Sequence, residues 1–112
     1  MRLAPLLLSL VLAGQAAGAE PRRVYAGEET RALKCAWVIS MTAAALEQAA
    51  MISTRDLEVS MAISVRILQV HVTGSHAQKM QALRQVGARR DLKTTMEEFR
   101  REGRSCLRRF PV

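Results

Sequence analysis

The chain has 112 residues, of which 49% are hydrophobic and 24% charged, and its formal net charge is +7. This length suits one domain, and the balance of apolar and charged residues excludes both a disordered chain and a fibrous one. The basic balance indicates a surface that attracts anions, without identifying them.

Residues 1–19 have the pattern of a cleavable signal peptide. Arg2 precedes the apolar run Leu3–Ala13, and the small residues Ala17 and Ala19 stand where a signal peptidase needs them. Cleavage between Ala19 and Glu20 is therefore predicted, which places the mature protein in the periplasm or outside the cell. The alternative is an uncleaved anchor, but a span needs about 20 apolar residues, so we expect no transmembrane helix in the mature chain.

The two cysteines, Cys35 and Cys106, are predicted to form one disulfide, because an exported chain folds in an oxidising compartment. A redox-active pair is the alternative, although the Cys-x-x-Cys spacing of such pairs is absent. Free thiols and an intermolecular bridge also remain open at this point.

Beyond the signal peptide, residues 20–28 are predicted to be a flexible tether and residues 29–112 a single helical domain. Ala32–Ile52 is rich in strong helix formers and carries few charges, which predicts a central, buried helix. Either hydroxyl of Ser53 and Thr54 is a suitable N-cap for the element that follows.

Residues 57–73 fit two periodicities. Alternating apolar residues favour a strand, whereas Leu57, Met61, Val65, Leu68 and Val72 lie on one helical stripe. We favour the helix, because the chain offers no second strand with which a first could pair.

Residues 76–110 are helical in pattern and form either one bent helix or two. Ser75 is the expected N-cap, Gly87 is expected to interrupt the helix, and a fresh start is expected near Asp91–Thr95. Thr94 with Glu97, or Thr95 with Glu98, has the spacing of a capping box. A final apolar stripe, which we expect to face the core, comprises Leu92, Met96, Phe99, Gly103, Cys106 and Phe110. The predicted fold is all-α, a small bundle of three to four helices closed by one disulfide.

The net charge of the mature chain is concentrated near its end. Residues 75–112 contain ten basic side chains and four acidic ones. Arg100, Arg104 and Arg108 recur every four residues, with Arg101 beside them, and form a candidate site for an anionic surface. In the alternative interpretation this is an ordinary solvated face, on which Glu97, Glu98 and Glu102 pair with the arginines.

No catalytic motif is recognisable, and His71 and His76 alone are too few ligands for a metal site. We expect no metal and no cofactor. The leading hypothesis is an exported, non-enzymatic binding or accessory protein whose partner is an anionic envelope surface or an acidic protein rather than nucleic acid. The alternative is a small envelope enzyme or a redox protein that uses Cys35 and Cys106.

Overall fold

The computed structural model describes residues 21–112, so the predicted signal peptide (1–19) and its cleavage site between Ala19 and Glu20 lie outside the described residues. The described part is all-α, as predicted, and contains four helices joined by short turns. The helices are α1 (Glu28–Gln48), α2 (Thr54–His71), α3 (His76–Ala88) and α4 (Leu92–Arg109).

Helix α1 is the central element, on which each of the other three helices packs. Ala32 and Ala36 are completely buried, and their small side chains let neighbouring helices approach closely. Leu33 is 2% exposed and Val38 1% exposed, which places the apolar core around the first half of α1.

The end of α1 differs from the predicted boundary at Ile52. The helix stops at Gln48, and Ala50 adopts a left-handed conformation with φ of 57°. The amide of Met51 donates to the carbonyl of Leu46, and the amide of Ala50 donates to that of Glu47. This pair of bonds is the Schellman pattern, which usually has glycine or asparagine at the left-handed position. Alanine there gave no indication of a helix end.

Residues 57–73, for which helix and strand competed, belong to the helix α2 apart from the last two. Ser53 caps it, because its side chain accepts from the amide of Asp56 while the Asp56 carboxylate accepts from the amide of Ser53. The buried face overlaps the predicted stripe at Leu68 and Val72 but is not the same. Val65 is 52% exposed, whereas Ile67 is fully buried.

Residues 76–110 form two helices rather than one. Asp91 is the N-cap of α4 and accepts a 2.7 Å hydrogen bond from the amide of Thr94, so neither predicted threonine capping box forms. Gly87 does not interrupt α3. It lies inside the helix, where an added Cβ would come within 2.2 Å of the Trp37 ring, so it is the absence of a side chain that lets α3 pack there.

Cys35 of α1 and Cys106 of α4 form the predicted disulfide, with their Cα atoms 5.6 Å apart. Both cysteines are buried, and the bond closes a separation of 71 residues. Removing that much freedom from the unfolded chain stabilises the fold by about 4 kcal/mol. The bond also fixes which face of α4 turns towards α1.

Residues 21–27, within the predicted tether, contain no helix or strand but contact the turn between α2 and α3. The Tyr25 hydroxyl donates to the carbonyl oxygen of Thr73, and the Arg23 guanidinium donates to the Thr73 hydroxyl. Glu29 accepts from both the amide and the hydroxyl of Thr73 at 2.7 Å. These two bonds hold the pKa of the Glu29 carboxyl below its ordinary value.

Candidate functional site

Helix α4 has one face directed at α1 and one directed at solvent. The inner face includes Thr95, Glu98, Cys106 and, immediately after the helix, Phe110, all of them buried. The bond between Cys106 and Cys35 holds this face in place. The rotation of α4 is therefore set by a covalent bond as well as by packing.

The four candidate arginines, Arg100, Arg101, Arg104 and Arg108, are all exposed. Among residues 21–112 none of the four forms an ion pair with a carboxylate. We call this set the arginine face of α4. Four guanidinium groups on less than three turns of one helix make a concentrated positive field at the surface.

Two of the three carboxylates that were candidates to neutralise the arginine face pair with cations outside it, and the third, Glu97, stays exposed at i−4 from Arg101 without forming an ion pair within the described part of the chain. Glu98 pairs with Arg90 at 3.1 Å and with Lys34 at 3.5 Å, and Glu102 pairs with Lys34 at 3.0 Å. The pairing along α4 on which the solvated-face interpretation depended is therefore absent among residues 21–112.

Arg109 stands apart from the arginine face. Its guanidinium donates two hydrogen bonds to the Glu28 carboxylate, one of them from Nε at 2.8 Å. These bonds from Arg109 lower the pKa of the Glu28 carboxyl below its usual range. The pair joins the end of α4 to the start of α1.

A groove of about 380 Å³ runs between α2 and α4, beside the arginine face. Ile39 of α1, which is 6% exposed, contributes to its apolar wall. Phe99 and Leu107 of α4 also line it and are 38% and 48% exposed, while Arg100 and Arg104 supply charge. Apolar and cationic groups thus lie side by side on this part of the surface.

The predicted apolar stripe of α4 is therefore only partly buried. Gly103, Cys106 and Phe110 are covered, but Leu92 is 50% exposed and Phe99 lies at the groove. The buried face of α4 includes Glu98, which pairs with Lys34 of α1 and with Arg90 of the turn before α4. Sequence reasoning also missed Leu107, although it stands four residues after Gly103 and eight after Phe99 and so adjoins the same stripe.

The two histidines do not form a site together. The Nε2 atom of His71 lies 2.9 Å from the carbonyl oxygen of Pro111, and its ring packs edge-on against Phe110 with centroids 5.3 Å apart. His76 is exposed at the start of α3. Within residues 21–112, no group of three or more histidine, cysteine or acidic side chains is arranged to hold a metal ion.

Among the described residues, no helix combines the length and the apolar character that crossing a bilayer requires. No protein-family model matches the chain, and no curated protein or solved structure is significantly similar to it.

Proposed function

We propose that this chain is an exported, non-enzymatic binding protein whose arginine face adsorbs reversibly to anionic phospholipid surfaces in the periplasm or outside the cell. The observation that carries the proposal is the charge separation across α4. Four exposed arginines without ion pairs lie on one side, and the carboxylates Glu98 and Glu102 are held by cations on the other.

The energetics favour weak, salt-sensitive adsorption. Each arginine close to an anionic bilayer contributes on the order of 1 kcal/mol, and this attraction decays within a Debye length of about 8 Å at physiological ionic strength. Phe99 and Leu107, which are partly exposed beside Arg100 and Arg104, add apolar contact at the headgroup boundary.

One feature is compatible with an extracytoplasmic location, and a second argues against redox chemistry. A disulfide is compatible with an oxidising compartment. Cys35 and Cys106 are 7% and 4% exposed, and thiol–disulfide exchange requires a nucleophile to reach a sulfur atom. We therefore assign the bond a structural role in this proposal.

Vesicle co-sedimentation of the mature protein tests the proposal. We expect binding to vesicles of phosphatidylglycerol with phosphatidylcholine, little binding to phosphatidylcholine alone, and loss of binding as salt rises. The triple variant Arg100→Gln, Arg104→Gln, Arg108→Gln should bind the anionic vesicles about tenfold or more weakly.

The matched control removes three other exposed arginines by Arg55→Gln, Arg66→Gln and Arg84→Gln. It makes the same change in net charge, so a specific arginine face predicts that the control binds much more tightly than the first variant. Equal binding by the two variants, or equal binding of the unmodified protein to both lipids, would refute the proposal.

A further inference from the structure

A second cationic region lies on a different part of the molecule, between residues 21–27, α1 and the end of α3. It is a pocket of about 580 Å³. Its cations come from three separate segments, and no aspartate or glutamate lines it within the described part of the chain. They are Arg22 and Arg23 before α1, Lys34 on α1, and Arg89 and Arg90 after α3. We call it the cationic pocket.

The N-terminal side of the cationic pocket is held in place by hydrogen bonds. Arg23 and Tyr25 donate to Thr73 at 2.6 and 2.7 Å, and the Gln78 side chain donates to the carbonyl oxygen of Pro21 at 3.1 Å. The Arg23 guanidinium also lies over the Tyr25 ring, 5.5 Å from its centroid. Residues 21–25 are therefore a wall of the pocket.

The opposite side is held by a shared carboxylate. Glu98 pairs with both Lys34 and Arg90, and a second nitrogen of Arg90 donates to the carbonyl oxygen of Val86 at 2.8 Å. Lys34 also pairs with Glu102 at 3.0 Å, so the two carboxylates together orient the two cations and compensate their charge. In contrast, Arg22, Arg23 and Arg89 form no ion pair among residues 21–112, so the pocket keeps an excess of positive charge.

The cationic pocket also has an apolar wall, formed by Val24, Leu33, Ala82 and Val86. Small-molecule sites of roughly 300–1,000 Å³ typically combine apolar lining with a few polar or charged groups that converge on the ligand. Arginine suits phosphoryl oxygens in particular, because its planar fork donates two parallel hydrogen bonds.

From this arrangement we propose that the cationic pocket binds a small phosphorylated organic molecule, with Arg22, Arg23 and Arg89 contacting the phosphoryl oxygens and the apolar wall contacting the organic part. The ligand is a phosphomonoester or diphosphate, whose negative charge of about two or more suits a site with three arginines that form no ion pair among the described residues. This site shares no residue with the arginine face, so either proposal can fail without the other.

Isothermal titration calorimetry of the mature, disulfide-bonded protein at constant ionic strength tests the site, with inorganic phosphate, pyrophosphate and dihexanoyl phosphatidic acid as probes. Pyrophosphate should bind more tightly than phosphate because it reaches more of the three arginines. Tighter binding of the short-chain phosphatidate than of pyrophosphate would identify a lipid headgroup as the source of the phosphoryl group. The reverse order would identify a soluble phosphate ester.

The double variant Arg22→Gln, Arg89→Gln should weaken pyrophosphate binding by about tenfold or more, the scale expected for the loss of charge-assisted contacts. The control Arg55→Gln, Arg66→Gln makes the same change in charge on α2 and should leave binding nearly unchanged. All four arginines are exposed, so the variants should keep the unmodified circular dichroism and melting temperature.

Amide chemical shifts locate the bound probe independently. Pyrophosphate should shift the amides of Leu33, Lys34 and Arg90 and leave those of Arg104 and Arg108 unmoved. The proposal is overturned by undetectable binding of all three probes, by equal weakening in the two double variants, or by shifts confined to α4 beyond residue 100.

Discussion

The arginine face of α4 and the cationic pocket contain almost the same number of cations, but they are built in opposite ways. The arginine face comprises four arginines within the nine-residue segment 100–108 of one helix, and Glu98 and Glu102 of the same helix pair with cations outside this face. The cationic pocket is concave and takes its cations from three segments separated along the chain. Exposed cations along one helix suit an extended anionic surface, whereas cations that converge on a pocket from separate segments suit a small ligand.

Glu98 lies at the division between these two regions. It is on α4, yet both of its ion-pair partners, Lys34 and Arg90, line the cationic pocket. Glu98, together with Glu102 on Lys34, thus pairs with cations of the pocket and forms no ion pair with the arginine face of its own helix. The distribution of charge therefore depends on the rotation of α4 about its axis. Substitutions that disturb this rotation test that dependence.

The largest effect should come from removing the disulfide. We expect Cys35→Ser with Cys106→Ser to lower the free energy of unfolding by about 4 kcal/mol, because the bond closes a separation of 71 residues. Urea unfolding followed by circular dichroism measures this change. The unmodified protein with its disulfide reduced serves as the matched control and should have the same unfolding midpoint as the double variant. An unchanged midpoint in both would show that packing alone holds α4 in place.

Glu98→Gln should destabilise the fold and increase the positive charge of the cationic pocket. It leaves the partly buried Arg90 without a carboxylate partner and Lys34 with Glu102 alone, so we expect a loss of roughly 1–3 kcal/mol in unfolding free energy. It should also tighten pyrophosphate binding, since the pocket gains positive charge. Glu97→Gln is the control, because Glu97 is exposed, and it should change stability by no more than about 0.5 kcal/mol. Similar losses in the two variants would contradict the assignment.

Gly87→Ala should disturb the pocket side of the molecule and spare the arginine face. Alanine normally stabilises a helix interior by about 1 kcal/mol over glycine. Here its Cβ would meet the Trp37 ring, so we expect a net destabilisation of about 1 kcal/mol or more. Trp37 is the only tryptophan, so its fluorescence reports the displacement directly, alongside the melting temperature. A higher melting temperature would mean that α3 does not pack closely on Trp37.

The smallest expected effect is a loss of thermal stability at acidic pH. Hydrogen bonds and ion pairs lower the pKa values of Glu28 and Glu29 below 4.5 and that of Asp91 below 3.8 in the folded state. A lowered folded-state pKa stabilises the fold above the unfolded value and loses that contribution as pH falls through the folded value. The melting temperature should therefore stay level from pH 7 to about 5 and fall below about 4.5. The melting temperature of Glu29→Gln should fall less steeply with pH than that of the unmodified protein. Parallel curves for the two proteins would show that the hydrogen bonds from Thr73 to Glu29 do not contribute to the pH dependence.

The helices and the disulfide were predictable because their signals are local or few. The periodicity of α2, the N-caps Ser53 and Ser75 and a single pair of cysteines are all readable from the sequence. The predicted end of α1 at Ile52 was wrong for a local reason. Ala50 has a left-handed backbone conformation that alanine rarely adopts, so the residue type did not indicate a helix end.

The electrostatic arrangement was only half predictable. Arg100, Arg104 and Arg108 share a face by spacing alone, but the inward direction of Glu98 depends on Lys34, which is 64 residues earlier in the chain. Arg22 was likewise assigned to a tether from the sequence, because the residues with which it lines a pocket are distant in the chain. Long-range partners of charged side chains leave no periodic trace in a sequence.

The most direct test of the central proposal asks which cationic region meets an anionic surface. Amide signals of the labelled protein would be recorded with phosphatidylglycerol-containing bicelles that carry a paramagnetic gadolinium lipid. We predict the strongest broadening at Arg100, Leu107 and Arg108, with Arg22 and Arg89 little affected. Strongest broadening at Arg22 and Arg89, with α4 unaffected, would contradict the assignment of surface binding to the arginine face.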